Sequence, residues 1–391
     1  MAASGEPARN IRVGVIGGGQ LAWMMAAAAE YLGIDLWVQT PKPDDPAVAI
    51  AAQTLLAPIT DIATTARLAK QCDVITFENE FIDLPGLRSL SLDCFYPQLD
   101  CLAPLLDKYD QRQYCQKIGL PTPPFVALDG KADLPELAAR IAAVGLPLVL
   151  KTRRHGYDGQ GTFILKDADA VAATWQQLGY PPLMLEAFVP FEQELAVMAA
   201  RSRSGEVRVY PVVETQQVNQ VCQRVIAPAA VTVTVAQQVE QIATRLLSTL
   251  GVVGLFGIEL FLTAEQQVLI NEIAPRTHNS GHYTLDACET SQFEQQLRAV
   301  CGLPLGSVEM TWAEAVMVNL LGYETATGDY AEQRSAIAAL PNAHVYWYGK
   351  TQSRPGRKLG HVTLVTDRAQ PRADIDALIQ TVESLWYPTP A

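Results

Sequence analysis

The stretch Lys151–Thr162, KTRRHGYDGQGT, decides the fold of this chain. The apolar run Leu146–Leu150 precedes it and Phe163–Leu165 follows it, a pattern that predicts a strand, a glycine-rich turn and a second strand. Glycines let backbone N–H groups approach an anion closely, and Lys151 adds a positive charge. No Gly-Lys-Ser/Thr opens a helix here, so this is not a Walker loop. We predict a phosphate-binding loop, with a basic hairpin in solvent as the alternative.

The composition is typical of a soluble globular protein with two or three domains. The chain has 391 residues, of which 49% are hydrophobic and 18% charged. A formal net charge of −12 argues against nucleic acid or an anionic membrane as a partner. Seven cysteines without paired spacing are typical of reduced thiols, so we expect a cytoplasmic protein. We expect no signal peptide and no membrane span, because neither kind of apolar segment occurs.

The chain begins with the pattern of a parallel α/β sheet. Ile11–Ile16 and Ile34–Gln39 are predicted strands, joined by a glycine-rich turn and an alanine-rich helix that runs to about Leu32. The glycines match the dinucleotide fingerprint, but the second strand ends in Gln39-Thr40 and lacks the acidic residue, which disfavours a nicotinamide cofactor. The helix N-terminus could still bind a phosphate or a polar edge of a substrate.

Three acidic side chains in strand-like segments are candidates for ligand binding. Glu78 follows the predicted strand Asp73–Phe77, at the edge where open α/β sheets bind ligands, although a solvated turn is the alternative. The segment Leu183–Val189, which contains Glu186, has the apolar character of an adenine slot or of an ordinary buried strand. Glu194 interrupts an apolar strand, so we expect it to face a polar cleft.

A hairpin further along the chain brings two glutamates together. Leu255–Leu262 and Gln267–Ile273 are predicted strands, and a turn centred between Glu265 and Gln266 would place Glu259 directly opposite Glu272. Cross-strand partners have Cβ atoms about 4.5–5.5 Å apart, so two carboxylates there repel unless a cation lies between them. Magnesium binds one or two protein carboxylates together with phosphate oxygens. Two glutamates facing solvent are the alternative.

Two polar segments complete the set of candidates. Ala274–Tyr283 follows the second glutamate and contains Arg276, His278, Asn279 and His282, a donor set that suits a small oxyanion. His282 could equally cap or orient this loop. The segment Ser353–His361 has four cations in nine residues of an acidic protein, which predicts a second phosphate site or else a solvated turn.

Five motifs of the chain resemble those of one family of ligases. They are Gly17-Gly18-Gly19-Gln20-Leu21, Lys151 with Gly156–Gly161, Asn271–Arg276, His278–His282 and Arg354–His361. On these motifs the chain resembles the ATP-grasp ligases, specifically the 5-(carboxyamino)imidazole ribonucleotide synthase family of purine biosynthesis. The last two motifs together are specific to that family, whereas the others also occur in other ATP-grasp ligases.

The resemblance implies an α/β ATP-grasp fold in four parts. These are an N-terminal Rossmann-like (pre-ATP-grasp) parallel sheet domain at 1–105, a lid or central domain at 106–185, a catalytic domain at 186–305, and a small C-terminal α+β subdomain at 306–391 that packs on the catalytic domain.

The resemblance also assigns roles to individual residues. The residues implied to bind ATP are Lys108, Lys151, Gly156, Tyr157, Asp158, Gly159, Gln160, Gly161, Thr162, Glu186, Ala187, Phe188, Val189, Glu194, Gln217, Asn271 and Glu272. Among them, 156–162 would form the lid, Glu186–Val189 the adenine site, and Glu194 the ribose contact. The residues implied in catalysis are Arg276, His278 and Asn279, which would place bicarbonate or carboxyphosphate, with Tyr157 and Asp158. The ribonucleotide would be bound by Gln20, Leu21, Glu78, Tyr157, Asp158, Lys350, Arg357 and Lys358. Glu259 and Glu272 would bind magnesium.

The implied reaction joins ATP, bicarbonate and 5-aminoimidazole ribonucleotide through carboxyphosphate. The cofactors would be ATP and Mg²⁺, the partners would be these small molecules, and the chain would form a homodimer, as is common in the family. Three alternatives remain at this point: another ATP-grasp ligase, such as a formate-dependent glycinamide ribonucleotide transformylase or a biotin carboxylase; an NAD-dependent oxidoreductase; and a non-catalytic nucleotide sensor.

Overall fold

A computed structural model describes residues 10–154, 156 and 161–387. The N-terminal part is a parallel sheet in the order β3-β2-β1-β4, as predicted. Its strands are β1 (Ile11–Ile16), β2 (Ile34–Thr40), β3 (Gln53–Leu56) and β4 (Val74–Phe77), and its helices are α1 (Gln20–Trp23), α2 (Ala26–Leu32), α3 (Ile62–Ala69), α4 (Leu84–Ser89) and α5 (Leu99–Leu102). The alanine-rich helix expected to run to Leu32 is therefore two short helices.

The central part contains the two strands predicted on either side of the glycine-rich stretch after Lys151; residues 155 and 157–160 of that stretch lie outside the described residues. Its elements are α6 (Lys108–Lys117), β5 (Phe125–Leu128), α7 (Leu137–Val144), β6 (Leu148–Thr152), β7 (Thr162–Leu165), α8 (Ala168–Gln177) and β8 (Leu183–Ala187). Strands β6 and β7 pair antiparallel within a sheet of order β5-β8-β6-β7. The fully buried Trp175 fills the core between this sheet and its helices.

The remainder of the chain builds one large sheet and a separate two-stranded sheet. Its elements are β9 (Phe191–Arg201), β10 (Val207–Val209), β11 (Val213–Val218), β12 (Val221–Ala227), α9 (Val233–Leu250), β13 (Gly254–Thr263), β14 (Val268–Ala274), α10 (Thr284–Ala287), α11 (Gln292–Cys301), β15 (Glu314–Leu321), β16 (Ala326–Thr327), α12 (Ala331–Ala338), β17 (Ala343–Trp347), β18 (Gln352–Ser353), β19 (Lys358–Thr366) and α13 (Arg372–Trp386). The large sheet has the strand order β14-β13-β9-β11-β12-β15-β19-β17, and β10 pairs with β9. Strands β16 and β18 pair with each other in the two-stranded sheet. The pairing of β12 with β15 carries the large sheet into the C-terminal part.

Three elements of this sheet differ from the sequence-based expectation. The segment 207–213 was expected to be one strand, but it contains β10 and only the first residue of β11. Strand β12 has Arg224 at its centre, which hides its apolar pattern; the Arg224 guanidinium binds Glu383 of α13 with two N–O distances of 2.7 Å. Strand β19 begins with the lysine and histidine that had been assigned to a basic turn. Strands β12 and β19 both depend on contacts with residues that are distant in sequence.

Helix α9 supplies much of the core beneath the large sheet. The spacing of Val239, Ile242, Ala243, Leu246 and Leu250 predicts an apolar stripe on this helix. The first four are buried and Leu250 is half-buried, which confirms it. The helix packs on β9, β10 and β14, and its stripe joins their apolar side chains in one cluster. Among the helices that the structure describes, none has both the length and the apolar character needed to cross a bilayer.

Truncating this stripe should destabilise the fold without touching the cavity described below. We expect Leu246→Ala to lower the free energy of unfolding by about 2–5 kcal/mol, because a fully buried side chain leaves a void. Ser248→Ala, on the exposed face of the same helix, is the control and should change it by less than about 0.5 kcal/mol. Urea denaturation of both variants measures the difference, and equal effects would contradict the packing described.

Candidate active site

One cavity of about 1300 Å³ collects the predicted site residues from all parts of the chain. Those that line it are Gln20, Leu21, Glu78, Lys108, Lys151, Gly156, Thr162, Glu186, Ala187, Phe188, Val189, Glu194, Gln217, Glu259, Asn271, Glu272, Arg276, His278, Asn279, Lys350, Arg357 and Lys358. Gly161 does not line it; its carbonyl accepts the Thr152 N–H at 2.8 Å. Tyr157, Asp158, Gly159 and Gln160 lie outside the described residues.

Lys151 is held by a buried network at the end of β6. Its Nζ lies 2.7 Å from Glu186 Oε1 and 3.1 Å from Asn271 Oδ1. Glu186 Oε2 accepts a hydrogen bond of 2.6 Å from Arg112 Nε, and the same guanidinium binds the Asn271 carbonyl. Burial lowers the pKa of Lys151, while Arg112 and Lys151 outweigh the burial of Glu186 and hold the pKa of that carboxyl below its usual value. The carboxylate of Glu186 thus binds two cations and leaves only the rest of the residue for the adenine slot.

Arg112 is a residue that the sequence analysis missed. It follows Lys108 by one helical turn on α6, a spacing that places both cations on the same helix face. Its side chain is almost fully buried. A buried arginine requires a partner, because an unpaired buried charge is costly. That one-turn spacing was the available signal, and the partner Glu186 is 74 residues away.

The two hairpin glutamates face each other, as predicted, but the register differs from the one assumed. Near the turn, β13 and β14 pair with Leu260 opposite Ile270, an offset that would place Glu259 opposite Asn271. A bulge leaves Asn271 unpaired and brings Glu259 opposite Glu272. The bulge also lets both Asn271 and Glu272 line the cavity, although neighbouring strand residues ordinarily point to opposite faces.

The charges of this pair are unevenly compensated. Lys108 Nζ lies 2.5 Å from Glu272 Oε2. Burial disfavours the charged form of Glu272, but the Lys108 ammonium outweighs it and holds the pKa of Glu272 below its usual value. Burial and the Glu272 charge raise the pKa of Glu259 to about 7. At neutral pH, Glu259 therefore lacks a full counter-charge.

The loop after β14 places two polar side chains, Arg276 and His278, beside the glutamates. Arg276 forms a fork on Glu80, with Nε–Oε2 at 2.6 Å and Nη2–Oε1 at 3.2 Å, a partner that the sequence analysis did not single out. His278 Nε2 lies 3.5 Å from Glu259 Oε1. Burial and the Arg276 charge lower the pKa of His278 to about 3, so its imidazole is neutral. Gly257 makes room for this ring, since a Cβ there would lie 2.4 Å from the His278 Cβ.

The remaining polar residues of this loop point away from the cavity or lie at its edge. His282 is fully buried and its Nδ1 lies 3.0 Å from Gln292 Nε2, so it orients the loop. The Asn279 side chain lines the cavity and pairs with Asn319, a buried residue of β15 that the sequence analysis did not single out.

The glycine-rich start of the chain binds an internal anion. The Glu78 carboxylate accepts hydrogen bonds from Gly19 N at 2.6 Å and Leu21 N at 3.1 Å. Its burial raises the pKa of Glu78, against the effect of these hydrogen bonds. A Cβ at Gly19 would lie 2.4 Å from Glu78 Oε1, so glycine is required for this approach. The backbone N–H groups that were expected to bind a phosphate therefore bind the Glu78 carboxylate. Because Glu78 is buried, the alternative of a solvated turn there is wrong.

The C-terminal basic segment forms the opposite wall. Lys350 Nζ donates to Gln20 Oε1 at 2.6 Å and to the Lys358 carbonyl at 2.8 Å, which joins this wall to the N-terminal part. Arg357 Nη1 donates to the Gln352 carbonyl at 2.5 Å. Gly356 turns the chain with φ of 79°, a value that favours glycine. Four cations thus line this end of the cavity: Lys350, Arg354, Arg357 and Lys358.

An apolar slot lies between the sheet β5-β8-β6-β7 and the large sheet. Its lining includes Ile164 on β7 and the stacked rings of Phe191 and Phe261, whose centroids are 4.8 Å apart. Glu194 is the β-partner of Phe261 and lines the same cavity. Burial raises the pKa of Glu194 to about 7. The slot combines flat apolar surface with one carboxylate.

Comparison with curated proteins decides the family. An N5-carboxyaminoimidazole ribonucleotide synthase of Synechococcus elongatus is 55% identical over 382 residues, which cover 96% of this chain and 95% of the relative. This chain belongs to the N5-carboxyaminoimidazole ribonucleotide synthase family. The Bacillus subtilis member is 37% identical over 375 residues, covering 96% of this chain and 95% of that relative. The resemblance predicted from the motifs is confirmed.

Domain models and solved structures confirm the predicted fold of this synthase-family chain. Residues 11–103 match the ribonucleotide synthetase preATP-grasp domain, 113–293 the ATP-grasp domain, and 315–373 the phosphoribosylaminoimidazole carboxylase C-terminal domain. The Aspergillus clavatus synthase in complex with ADP and 5-aminoimidazole ribonucleotide has a TM-score of 0.88 and 31% identity, covering 96% of this chain and 98% of that chain. The Thermus thermophilus synthetase has a TM-score of 0.85 and 35% identity, covering 97% and 99%.

The uneven charge of the glutamate pair predicts a pH-dependent stability. The pKa of Glu259 is about 7 in the folded protein and has its ordinary, lower value in the unfolded chain, so ionisation of Glu259 costs stability above pH 7 and costs none below about pH 4.5. Without divalent cations, Glu259→Gln should therefore raise the free energy of unfolding at pH 8 by about 1–3 kcal/mol and by less at pH 5.5.

Thermal unfolding at the two pH values measures this difference. Glu265→Gln, in the exposed turn of the same hairpin, is the matched control and should change little at either pH. A stabilisation by Glu259→Gln that does not depend on pH would contradict the assigned charge.

Proposed function

We propose that this chain catalyses the ATP-dependent carboxylation of 5-aminoimidazole ribonucleotide with bicarbonate, giving N5-carboxyaminoimidazole ribonucleotide, ADP and phosphate in purine biosynthesis. The observation that carries the proposal is that one cavity joins Lys151, the Glu259–Glu272 pair and the Lys350–Lys358 wall. These supply contacts for a nucleotide triphosphate, for a cation and for a second phosphate. The Aspergillus clavatus relative was solved with ADP and 5-aminoimidazole ribonucleotide, the two kinds of ligand that this arrangement suits.

The glutamate pair suits a magnesium ion that is shared with the nucleotide. Within the described residues, no group of three or more His, Cys, Asp or Glu side chains could hold a metal by itself. Mg²⁺ commonly binds one or two carboxylates and completes its shell with phosphate oxygens and water, so Glu259 and Glu272 fit that donor set. When bound, it would neutralise charge on the transferring phosphate. The incomplete compensation of Glu259 supports this assignment.

Cationic and neutral donors would position the reacting groups. Bicarbonate would attack the γ-phosphorus to form carboxyphosphate and release ADP; the exocyclic amine would then attack the carboxyl carbon and expel phosphate. Lys108 and Lys151 would hold the triphosphate. Arg276 would hold the oxyanion, because its five N–H groups include two beyond those bound to Glu80 and the Thr277 carbonyl. Neutral His278 would contribute a hydrogen bond rather than a charge.

An NAD-dependent oxidoreductase is disfavoured by the same residues that fill the glycine-rich start. In place of the ribose-binding carboxylate stands Gln39, a fully buried amide that donates to the Pro58 carbonyl at 2.8 Å and accepts from Thr65 Oγ1 at 2.8 Å. Glu78 already accepts two backbone N–H groups of the turn. A pyrophosphate would have to displace a buried carboxylate there.

Other ATP-grasp ligases are disfavoured by the C-terminal wall or by the family match. A biotin carboxylase has no ribonucleotide phosphate to offer the Arg354–Lys358 segment. A formate-dependent glycinamide ribonucleotide transformylase does have one, and the family match disfavours it instead. Location in the cytoplasm and a homodimeric state remain predictions from composition and resemblance.

Turnover with separate substrates tests the proposed reaction. ADP formation should require both bicarbonate and 5-aminoimidazole ribonucleotide, and neither formate nor glycinamide ribonucleotide should replace them. Glu272→Gln should lower kcat by at least about 10³-fold, because it removes one carboxylate of the pair that would neutralise charge in the transition state. Its far-ultraviolet circular dichroism should match that of the parent. Near-normal turnover in this variant would rule out the metal assignment. Turnover of the parent would exclude the alternative of a non-catalytic nucleotide sensor.

The C-terminal wall should affect one substrate only. We expect Lys358→Ala to raise KM for 5-aminoimidazole ribonucleotide about 10- to 100-fold with a small change in kcat, because a ground-state contact to its phosphate is lost. Lys117→Ala, an exposed lysine at the end of α6, is the control. An effect confined to KM for ATP would show that Lys358 belongs to the other end of the cavity.

A further inference from the structure

Asn279 and Asn319 form a buried reciprocal amide pair behind the oxyanion end of the cavity. Asn279 Nδ2 donates to Asn319 Oδ1 at 2.9 Å, and Asn319 Nδ2 donates to Asn279 Oδ1 at 2.7 Å. Asn279 lines the cavity, whereas Asn319 is 1% exposed and does not. Asn319 therefore reaches the site only through Asn279.

A backbone carbonyl fixes the direction of this pair. Asn319 Nδ2 also donates to the Cys222 carbonyl of β12 at 2.9 Å. A carbonyl can only accept, so Asn319 must turn its NH₂ group towards Cys222. This orientation leaves its Oδ1 and one N–H for Asn279, which must then present its own NH₂ to Oδ1 and its own oxygen to the N–H. The Cys222 carbonyl thus fixes the amide orientation of Asn319, and Asn319 in turn fixes that of Asn279.

The pair leaves Asn279 with one N–H and one lone pair beyond its bonds to Asn319. Within the described part of the chain, no other hydrogen bond of the Asn279 amide occurs. Because Asn279 lines the cavity beside His278, these two groups are the ones it can offer to a ligand. A flipped amide would exchange the positions of the N–H and the oxygen and so present the wrong group to an oxyanion.

Strand pairing holds Asn319 in a rigid position. It lies opposite His361 across the β15–β19 pair, and His361 lies opposite Tyr346 across the β19–β17 pair. His361 Nδ1 is 2.8 Å from the Tyr348 hydroxyl, and the Tyr346 hydroxyl donates to Asp286 at 2.7 Å. The amide that faces Asn279 therefore stands on a strand whose neighbours are themselves fixed by buried hydrogen bonds.

We propose that Asn319 is a positioning residue for the carboxylation reaction: it sets the amide orientation of Asn279, so that Asn279 donates its remaining N–H to the oxyanion of bicarbonate or carboxyphosphate. This inference rests on the proposed function. It gives β15, a strand of the C-terminal part, a role in the chemistry at Asn279. This role is separate from the phosphate contact proposed for the Lys350–Lys358 wall.

Two substitutions separate orientation from packing. Asn319→Asp is nearly isosteric, but its carboxylate cannot donate. The hydrogen bond to Asn279 Oδ1 then becomes a repulsion between two oxygens, and the Asn279 amide is no longer held in one orientation. Asn319→Leu removes the partner without adding this repulsion. We expect Asn319→Asp to lower kcat/KM for bicarbonate about 10- to 100-fold, and Asn319→Leu to lower it less. KM for ATP and for 5-aminoimidazole ribonucleotide should stay within about twofold of the parent in both.

The coupling ratio gives a second readout that a merely structural role would not change. Carboxyphosphate that is poorly held should be lost to water, so Asn319→Asp should form more than one ADP per carboxylated product, whereas the parent forms one. Gln295→Glu is the matched control. Gln295 is a fully buried amide that exchanges two hydrogen bonds with the Gly306 backbone and does not line the cavity, so the control carries the same chemical change with its coupling intact.

Each outcome has a definite reading. Parent-like bicarbonate kinetics and coupling in both Asn319 variants would overturn the inference, and so would a uniform loss across all substrates that Gln295→Glu shares. If Asn319→Asp does not fold, a drop in kcat/KM for bicarbonate with uncoupling in Asn319→Leu still supports the inference, and its absence overturns it. Failure of the parent to turn over with bicarbonate would instead overturn the proposed function, and the inference with it.

Discussion

Two carboxylates placed face to face on paired strands create a repulsion that the rest of this site offsets. The bulge at Asn271 brings Glu259 and Glu272 together, and without it the register of the hairpin would separate them. Lys108 compensates one of the two charges from outside the sheet. With a pKa of about 7, Glu259 is only partly ionised at neutral pH, and a cation bound between the two carboxylates would favour its charged form.

Four of the cations that line the cavity are each held by a partner of their own. Lys151 binds Glu186, Arg276 binds Glu80, Lys108 binds Glu272, and Lys350 binds the Gln20 amide. This explains how a chain with a net charge of −12 can provide an anion site: the basic groups are few, fixed in direction and partly neutralised. Donors that are already oriented need little reorganisation when charge develops on a transferring phosphate. The partners, as much as the cations, define the site.

The sequence was sufficient where chemistry is local and insufficient where a partner lies far away. The glycines around Lys151 and the alternation in β1 and β13 depend on neighbouring residues, so the first sheet and the loop strands could be predicted. The pairing of Glu259 with Glu272 was predicted correctly from a register that was wrong, because a bulge cannot be deduced from strand composition. Arg112 and Asn319 were missed because their partners lie 74 and 40 residues away.

Contacts between residues distant in sequence also connect the start of the glycine-rich loop, at Arg153, to helix α6, which carries Lys108. Arg153, directly after β6, binds Asp107 through Nε at 2.9 Å, and its carbonyl accepts the Lys108 N–H at 2.8 Å. Asp107 in turn caps α6 by accepting the Tyr109 N–H at 2.9 Å. Side chain and main chain of one residue thus fix both the start of the loop and the start of the helix that carries Lys108. Lys151 and Lys108 are therefore positioned through a shared anchor, which explains how two lysines from different elements line one cavity.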